Sequence, residues 1–417
     1  MLKPQQTGRV DRFPDSIESP ASWAAAAVTL AILSIALGGP LVIVVGLKPI
    51  AASLGTDRST VALASSLTWI GIGLGGIAAG RIADRIGVRW TVIFGAVMAA
   101  AGLALSATGR LWALEFGQGA LIGLLGNAAL NPPLIVYITR WFDRRRGIAV
   151  ALISSGRYVA GVVWPWVFER GIAEFGWQAT MLGYAAVVAL AVVPMAFLLR
   201  PLPPAARPSP APARRHRHRA RVVGLKANQA QLLLCTASFL CCVPMAIPFA
   251  HLVAFCSDLG IAPAQGAAML SVLLGGALIS RPFWGWLTDR IGGLRTIFVG
   301  SALEGLAMIA FTLTRSEAGL FVVSAAFGLG FSGLIPAYVL AIRELFPATE
   351  ASWRIPTELF ASMCGMAFGT WFAGAVYDRL GFYAPAFAAG ALFNLANLAV
   401  ISFLIVRQAH SARVAAA

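Results

Sequence analysis

Hydrophobic residues in this chain fall into long unbroken blocks, and short charged or Gly/Pro-rich connectors separate one block from the next. A bilayer core about 30 Å thick is crossed by roughly 20 apolar residues in a helix. Twelve blocks meet that length: 22–46, 60–80, 90–109, 112–138, 147–169 and 177–199, then 230–255, 266–287, 295–314, 318–342, 356–377 and 383–406. The pattern predicts an all-α membrane protein with twelve transmembrane helices. A polar start runs directly into a block of full length, so the first helix reads as an uncleaved anchor rather than a signal peptide.

Composition changes the picture only by what it excludes. Hydrophobic residues make up 59% of the 417 positions and charged residues 12%, with a mean hydropathy of +0.79, which excludes a water-soluble domain. The formal charge of +15 raises nucleic acid as a partner, and the placement of the charge argues against it. With both termini cytosolic, most of the 32 Lys and Arg lie in cytosolic connectors, as the positive-inside rule requires. Lipid is therefore the expected macroscopic partner. Abundant Arg, Ala and Gly beside scarce Lys suggest a cell inner (cytoplasmic) membrane. The five cysteines lack metal-ligand spacing or a secreted framework and read as packing residues. No Ser/His/Asp, Cys/His or metal constellation is visible, so neither an enzyme nor a cofactor or metal protein is expected.

One long polar segment divides the blocks six and six. It begins PLPPAARPSPAPARRHRHRAR, a Pro-rich and semi-rigid spacer followed by a basic cluster that reads as a topology determinant touching anionic lipid. The expected organisation is a cytosolic tail 1–21, a bundle 22–199, a cytosolic linker 200–229, a bundle 230–406 and a cytosolic tail 407–417. After the second block the chain reads GRIADRIGVRW and after the eighth GWLTDRIGGLR, so Asp84-Arg85-Ile86-Gly87 returns as Asp289-Arg290-Ile291-Gly292. Equal punctuation at equivalent places marks an internal duplication. Two pseudo-symmetric six-helix bundles are a transporter architecture, with the substrate site between the halves near the midplane.

Gly80, Asp84, Arg85, Gly87 and Arg89, with the weaker copy around Asp289 and Arg290, resemble the signature loop of the major facilitator superfamily. Glycine permits a tight turn. Asp and Arg at a helix end can pair with neighbouring termini in one conformation and release them in another. These seven residues are the gating candidates, with a static interfacial ion pair as the alternative. Two literal G-x-G-x-x-G matches, at Gly71/Gly73/Gly76 and Gly328/Gly330/Gly333, lie inside apolar blocks without the strand a dinucleotide site needs. Small residues there instead let helices approach closely.

Arginine at the centre of a membrane helix costs about 2.5–3.5 kcal/mol on translocon scales and persists where it faces a wet cavity or a partner. Two positions qualify. Counted at about 1.5 Å per residue, Arg281 lies about 12 Å inside its nearest boundary and Arg157 about 16 Å, against a half-thickness of about 15 Å. A guanidinium fork suits a carboxylate, so one arginine from each half predicts an anion site, pairing with a buried acid or helix carbonyls being the alternative. Asn127 and Asn131 share a helix face and can orient a carboxylate. Tyr338 can donate its hydroxyl, and His251 can carry a proton or simply pack. Lys48 reads as a snorkelling interfacial residue.

The stretches from His251 to Gly292 and from Asn131 to Gly156 are similar to the monocarboxylate-transporter branch of that superfamily and its bacterial oxalate/formate-exchanging relatives. The resemblance implies that Arg281 engages a substrate carboxylate. It departs at three places: the acidic-Gly-Gly-Trp signature of the first helix is missing, Ala277 stands where animal members carry a proton-accepting Asp, and Arg157 replaces a small residue. The expected function is secondary active transport of a small mono- or dicarboxylate by alternating access, with proton symport, anion exchange and uniport all open. Two alternatives are an exporter of amphipathic drugs or other metabolites and a transporter-like solute sensor.

Overall fold

The computed structural model describes residues 18–200, 221–347 and 349–416. The apolar blocks form helices because, in hydrocarbon, a helix satisfies its own backbone polar groups. In chain order they are α1 (Pro20–Leu54), α2 (Arg58–Ile86), α3 (Val88–Ser106) and α4 (Leu111–Thr139). The apolar stretch Arg146–Phe197 is helical over 52 residues but turns at Gly176, whose φ of 81° suits a residue without Cβ. It therefore supplies α5 (146–175) and α6 (177–197). The second half comprises α7 (Ala227–Asp258), α8 (Pro263–Ile291), α9 (Gly293–Leu313), α10 (Glu317–Leu345), α11 (Ala351–Leu380) and α12 (Ala384–Ala416).

Twelve crossings place the start of α1 and the end of α12 at one end of the molecule, the terminal end; the other is the distal end. The linker is shorter in its irregular part than the sequence suggests. Arg221–Val222 pairs with Leu225–Lys226 in a small antiparallel hairpin, Arg407 of α12 donates to the carbonyls of Val223 and Gly224 at 3.3 and 3.1 Å, and α7 begins at Ala227. The basic cluster 214–219 and the first 17 residues lie outside the described residues.

The repeated loops are alike in backbone as well as in letters. Gly87 closes α2 with φ 88° and Gly292 closes α8 with φ 82°, a region that disfavours any side chain. Small residues act as expected: a Cβ on Gly71 or Gly75 would strike the backbone of α4, and one on Gly365 or Gly369 that of α7. In the second half, buried polar side chains pair with one another. Asn394 donates to Glu304 (3.0 Å), Asn397 to Ser301 (2.8 Å) and Tyr338 to Asn397 (3.0 Å), while Glu358 accepts from Ser238 and Ser362 at 2.7 and 3.0 Å.

Candidate functional site

The two halves meet along α2 with α11, α5 with α8 and α1 with α7. A cavity opens between them, lined by Asn127, Arg157, Trp69, Phe249, Leu274 and Thr370 among others. Asn127 reaches it from a stretch of α4, Gly117–Asn127, wound with wider π-helical turns, a feature that tends to mark functional segments. Its Oδ1 is buried and has no hydrogen-bond partner among the described residues.

Arg157 projects from α5 with its guanidinium carbon 4.9 Å from the Trp69 ring centroid, and Trp69 meets Phe249 of the opposite half edge-on at 5.9 Å. Arg281 comes from α8 and lies 5.3 Å from the ring of Tyr158, the neighbour of Arg157. Arg281 thus stands beside the segment that carries Arg157, although it is Arg157 and not Arg281 that lines the cavity itself. Among the described residues neither guanidinium has a hydrogen bond or an ion pair. The buried acids that could have neutralised them, Glu304 and Glu358, are engaged inside the second half. Cation–π contact offsets part of the cost of burying a guanidinium but supplies no counter-charge.

The other expected substrate contacts are placed differently. Asn131 stands one turn nearer the terminal end of α4, half-buried, with no hydrogen bond among the described residues. His251 is fully buried, with Nδ1 3.0 Å from the Tyr383 hydroxyl and Nε2 2.8 Å from the Thr370 carbonyl, so neither ring nitrogen is left for a ligand. Tyr338 donates within the second half rather than into the cavity. Both have become packing groups because hydrocarbon forces polar side chains to find partners nearby.

Of the gating candidates, Asp84 pairs with Arg140 of its own half at 2.8 Å. Arg89 donates to the Leu199 carbonyl at 2.9 Å. Arg85 and Asp289 are exposed, and Arg290 lies over Trp286 of its own helix. Gly80 has open space where a Cβ would stand. The halves are instead tied at the distal end. Asp258 of α7 accepts from Lys48 at 2.9 Å and from Arg58 at 2.5 and 2.9 Å, and Asp378 of α11 accepts from the backbone N–H groups of Arg58 and Ser59 at 3.1 and 2.9 Å. Lys48 is thus an ion-pair partner across the halves and not simply a snorkelling residue. Among the described residues, the remaining hydrogen bonds between halves join Lys48 to the Ser257 hydroxyl at 2.8 Å, Arg58 to the Tyr383 hydroxyl at 3.1 Å and Ser66 to the Ala367 carbonyl at 2.7 Å; none of these lies at the terminal end. This distal lock was missed because its residues sit at block edges, where charge is unremarkable; the signal was that acidic and basic edges from both halves share one end.

Two duplicated helical bundles enclosing a central cavity, apolar in most of its lining but reached by Arg157 and Asn127, define a polytopic membrane carrier. The chain matches the Major Facilitator Superfamily over residues 23–256 and again over 232–417, and it belongs to that family. It is similar to the MFS-type transporter pynF of Aspergillus niger, 27% identical over 296 residues covering 70% of this chain and 66% of that one. It is also similar to monocarboxylate transporter 13 of Bos taurus, 26% identical over 347 residues covering 81% and 80%. A crystal structure of the peptide transporter POT in complex with sulfate superposes with a TM-score of 0.70 at 16% identity, covering 92% of this chain and 95% of that one, a likeness of fold.

Proposed function

We propose that this member of the family is a secondary active transporter that moves a small organic anion, a mono- or dicarboxylate, by alternating access. The observation that carries the reading is that Arg281 of one half lies over Tyr158, the neighbour of Arg157 in the other, and that neither arginine has an anionic partner among the described residues. A carboxylate between them would accept a bidentate pair from one fork and offer a counter-charge to both. Because the two cations belong to different halves, the anion gains most when the halves close around it. Such differential contact is what allows a ligand to drive a conformational change.

The distal lock, with no hydrogen bond between halves at the terminal end among the described residues, supports reading this as a state open toward the termini. The Arg-rich connectors at that end support placing it in the cytosol, of a bacterial inner membrane or an equivalent one. The signature loops would then meet only when the terminal end closes. Ala277 carries no proton, so coupling through that position is not part of this reading. The name of the mammalian relative supports the carboxylate class. A second reading, export of an amphipathic metabolite, is favoured by the apolar lining that Trp69, Phe249, Ile72 and Leu274 give the cavity.

Flux into proteoliposomes tests both. Uptake of a labelled small carboxylate, saturable and lost in Arg281→Ala, supports the first reading. Failure of every small mono- and dicarboxylate, with flux of larger aromatic acids, selects the second, and binding without flux selects a sensor.

A further inference from the structure

A second pocket lies outside the central cavity, in the terminal end of the first half. The α2–α3 turn and the ends of α4 and α6 enclose it, and Asp84, Arg89, Tyr137, Arg140 and Arg200 line it. Its polar groups are only partly used. Arg140 pairs with Asp84 at 2.8 Å, Arg89 donates one Nη to the Leu199 carbonyl, and Tyr137 donates to the Arg200 carbonyl at 2.9 Å. The Arg89 Nε–H is buried with no acceptor among the described residues. Three guanidinium groups against one carboxylate leave an excess of positive charge.

The rim of this pocket has the opposite character. Trp90 is 58%, Phe197 54% and Val136 43% exposed, and the first two meet edge-on at 6.4 Å. These residues stand at the ends of membrane helices, the depth of lipid headgroups, where tryptophan is favoured. At the duplicated turn, Glu344 accepts from the backbone of Gly293 at 3.1 Å, which sets a carboxylate directly against the α8–α9 turn.

We propose that this pocket binds the phosphate of an anionic phospholipid, its head between Arg89, Arg140 and Arg200 and its acyl chains along Trp90, Phe197 and Val136. A free phosphate shares the head chemistry but has no use for an apolar rim. Basic pockets between helix ends are suited to anionic headgroups, and charge-assisted bonds to phosphate are the strong ones. The bound phosphate competes with Asp84 for Arg140, so the lipid acts on the signature loop itself.

The test is native mass spectrometry of the delipidated full chain with phosphatidylglycerol and, separately, phosphatidylcholine, beside thermal-stability scans with inorganic phosphate. Wild type retains one phosphatidylglycerol at least tenfold better than phosphatidylcholine. Arg200→Gln, an exposed side chain, weakens this several-fold, Arg89→Gln/Arg200→Gln tenfold or more, and Arg290→Gln not at all. Equal retention of the two lipids overturns the proposal, as does unchanged binding by a folded Arg200→Gln. Stabilisation by millimolar inorganic phosphate equal to that by the lipid would make the ligand a soluble phosphate and overturn the lipid assignment. Transport is not an observable here, so the result stands apart from the substrate reading.

Discussion

Arg58, at the distal start of α2, holds Asp258, at the distal end of α7, by a bidentate grip of 2.5 and 2.9 Å. The Arg58 guanidinium also lies 3.6 Å from the centroid of the Tyr377 ring in α11. One arginine of the first half thus fastens two helices of the second.

Breaking that grip shifts the conformational balance. A partly exposed bidentate pair is worth about 1–2 kcal/mol, so Asp258→Asn should raise the distally open population roughly tenfold. Spin-label distances between the distal ends of α1 and α7 measure it. An unchanged distribution would remove Asp258 from the lock.

Arg281→Lys keeps the charge and loses the fork. Carboxylate flux should fall more than tenfold while the amount of protein in the membrane stays constant, because an ammonium cannot reproduce bidentate geometry. Near-normal flux would sink the anchor role.

Arg157→Gln removes the second cation and leaves a polar group beside Trp69. Affinity for the carboxylate should weaken several-fold with folding intact, read as a raised KM. Unchanged kinetics with a lowered Tm would instead assign Arg157 to packing on Trp69.

His251→Ala separates packing from binding. The substitution removes one of the two partners of the buried Tyr383 hydroxyl, which still accepts from Arg58, and takes the ring nitrogen from the Thr370 carbonyl. The cost is about 1–3 kcal/mol, so it should lower Tm without altering KM. A changed KM at unchanged Tm would return His251 to the substrate site.

Legibility followed physical scale. The twelve crossings, the duplication and the two midplane arginines were readable because the bilayer sets a length for every helix and a penalty for every charge, and both are written in local sequence. Gly87 and Gly292 were readable for the same reason, since a positive φ is a demand on one residue. The fifth and sixth blocks, 147–169 and 177–199, come out as α5 and α6 on either side of Gly176, whereas the hairpin before α7 had no marked strand signal.

What the sequence determined alone is the class of solvent, the approximate number of crossings and the presence of charged residues within apolar blocks, all properties of segments taken one at a time. Tertiary structure decided which polar groups remain free. His251 and Tyr338 looked available until Tyr383, Thr370 and Asn397 came within hydrogen-bond reach, and Lys48 looked idle until Asp258 arrived from more than 200 residues away. Hydrogen bonds and ion pairs act over a few ångströms in space, and a chain folded back on itself twelve times makes sequence distance a poor guide to that separation.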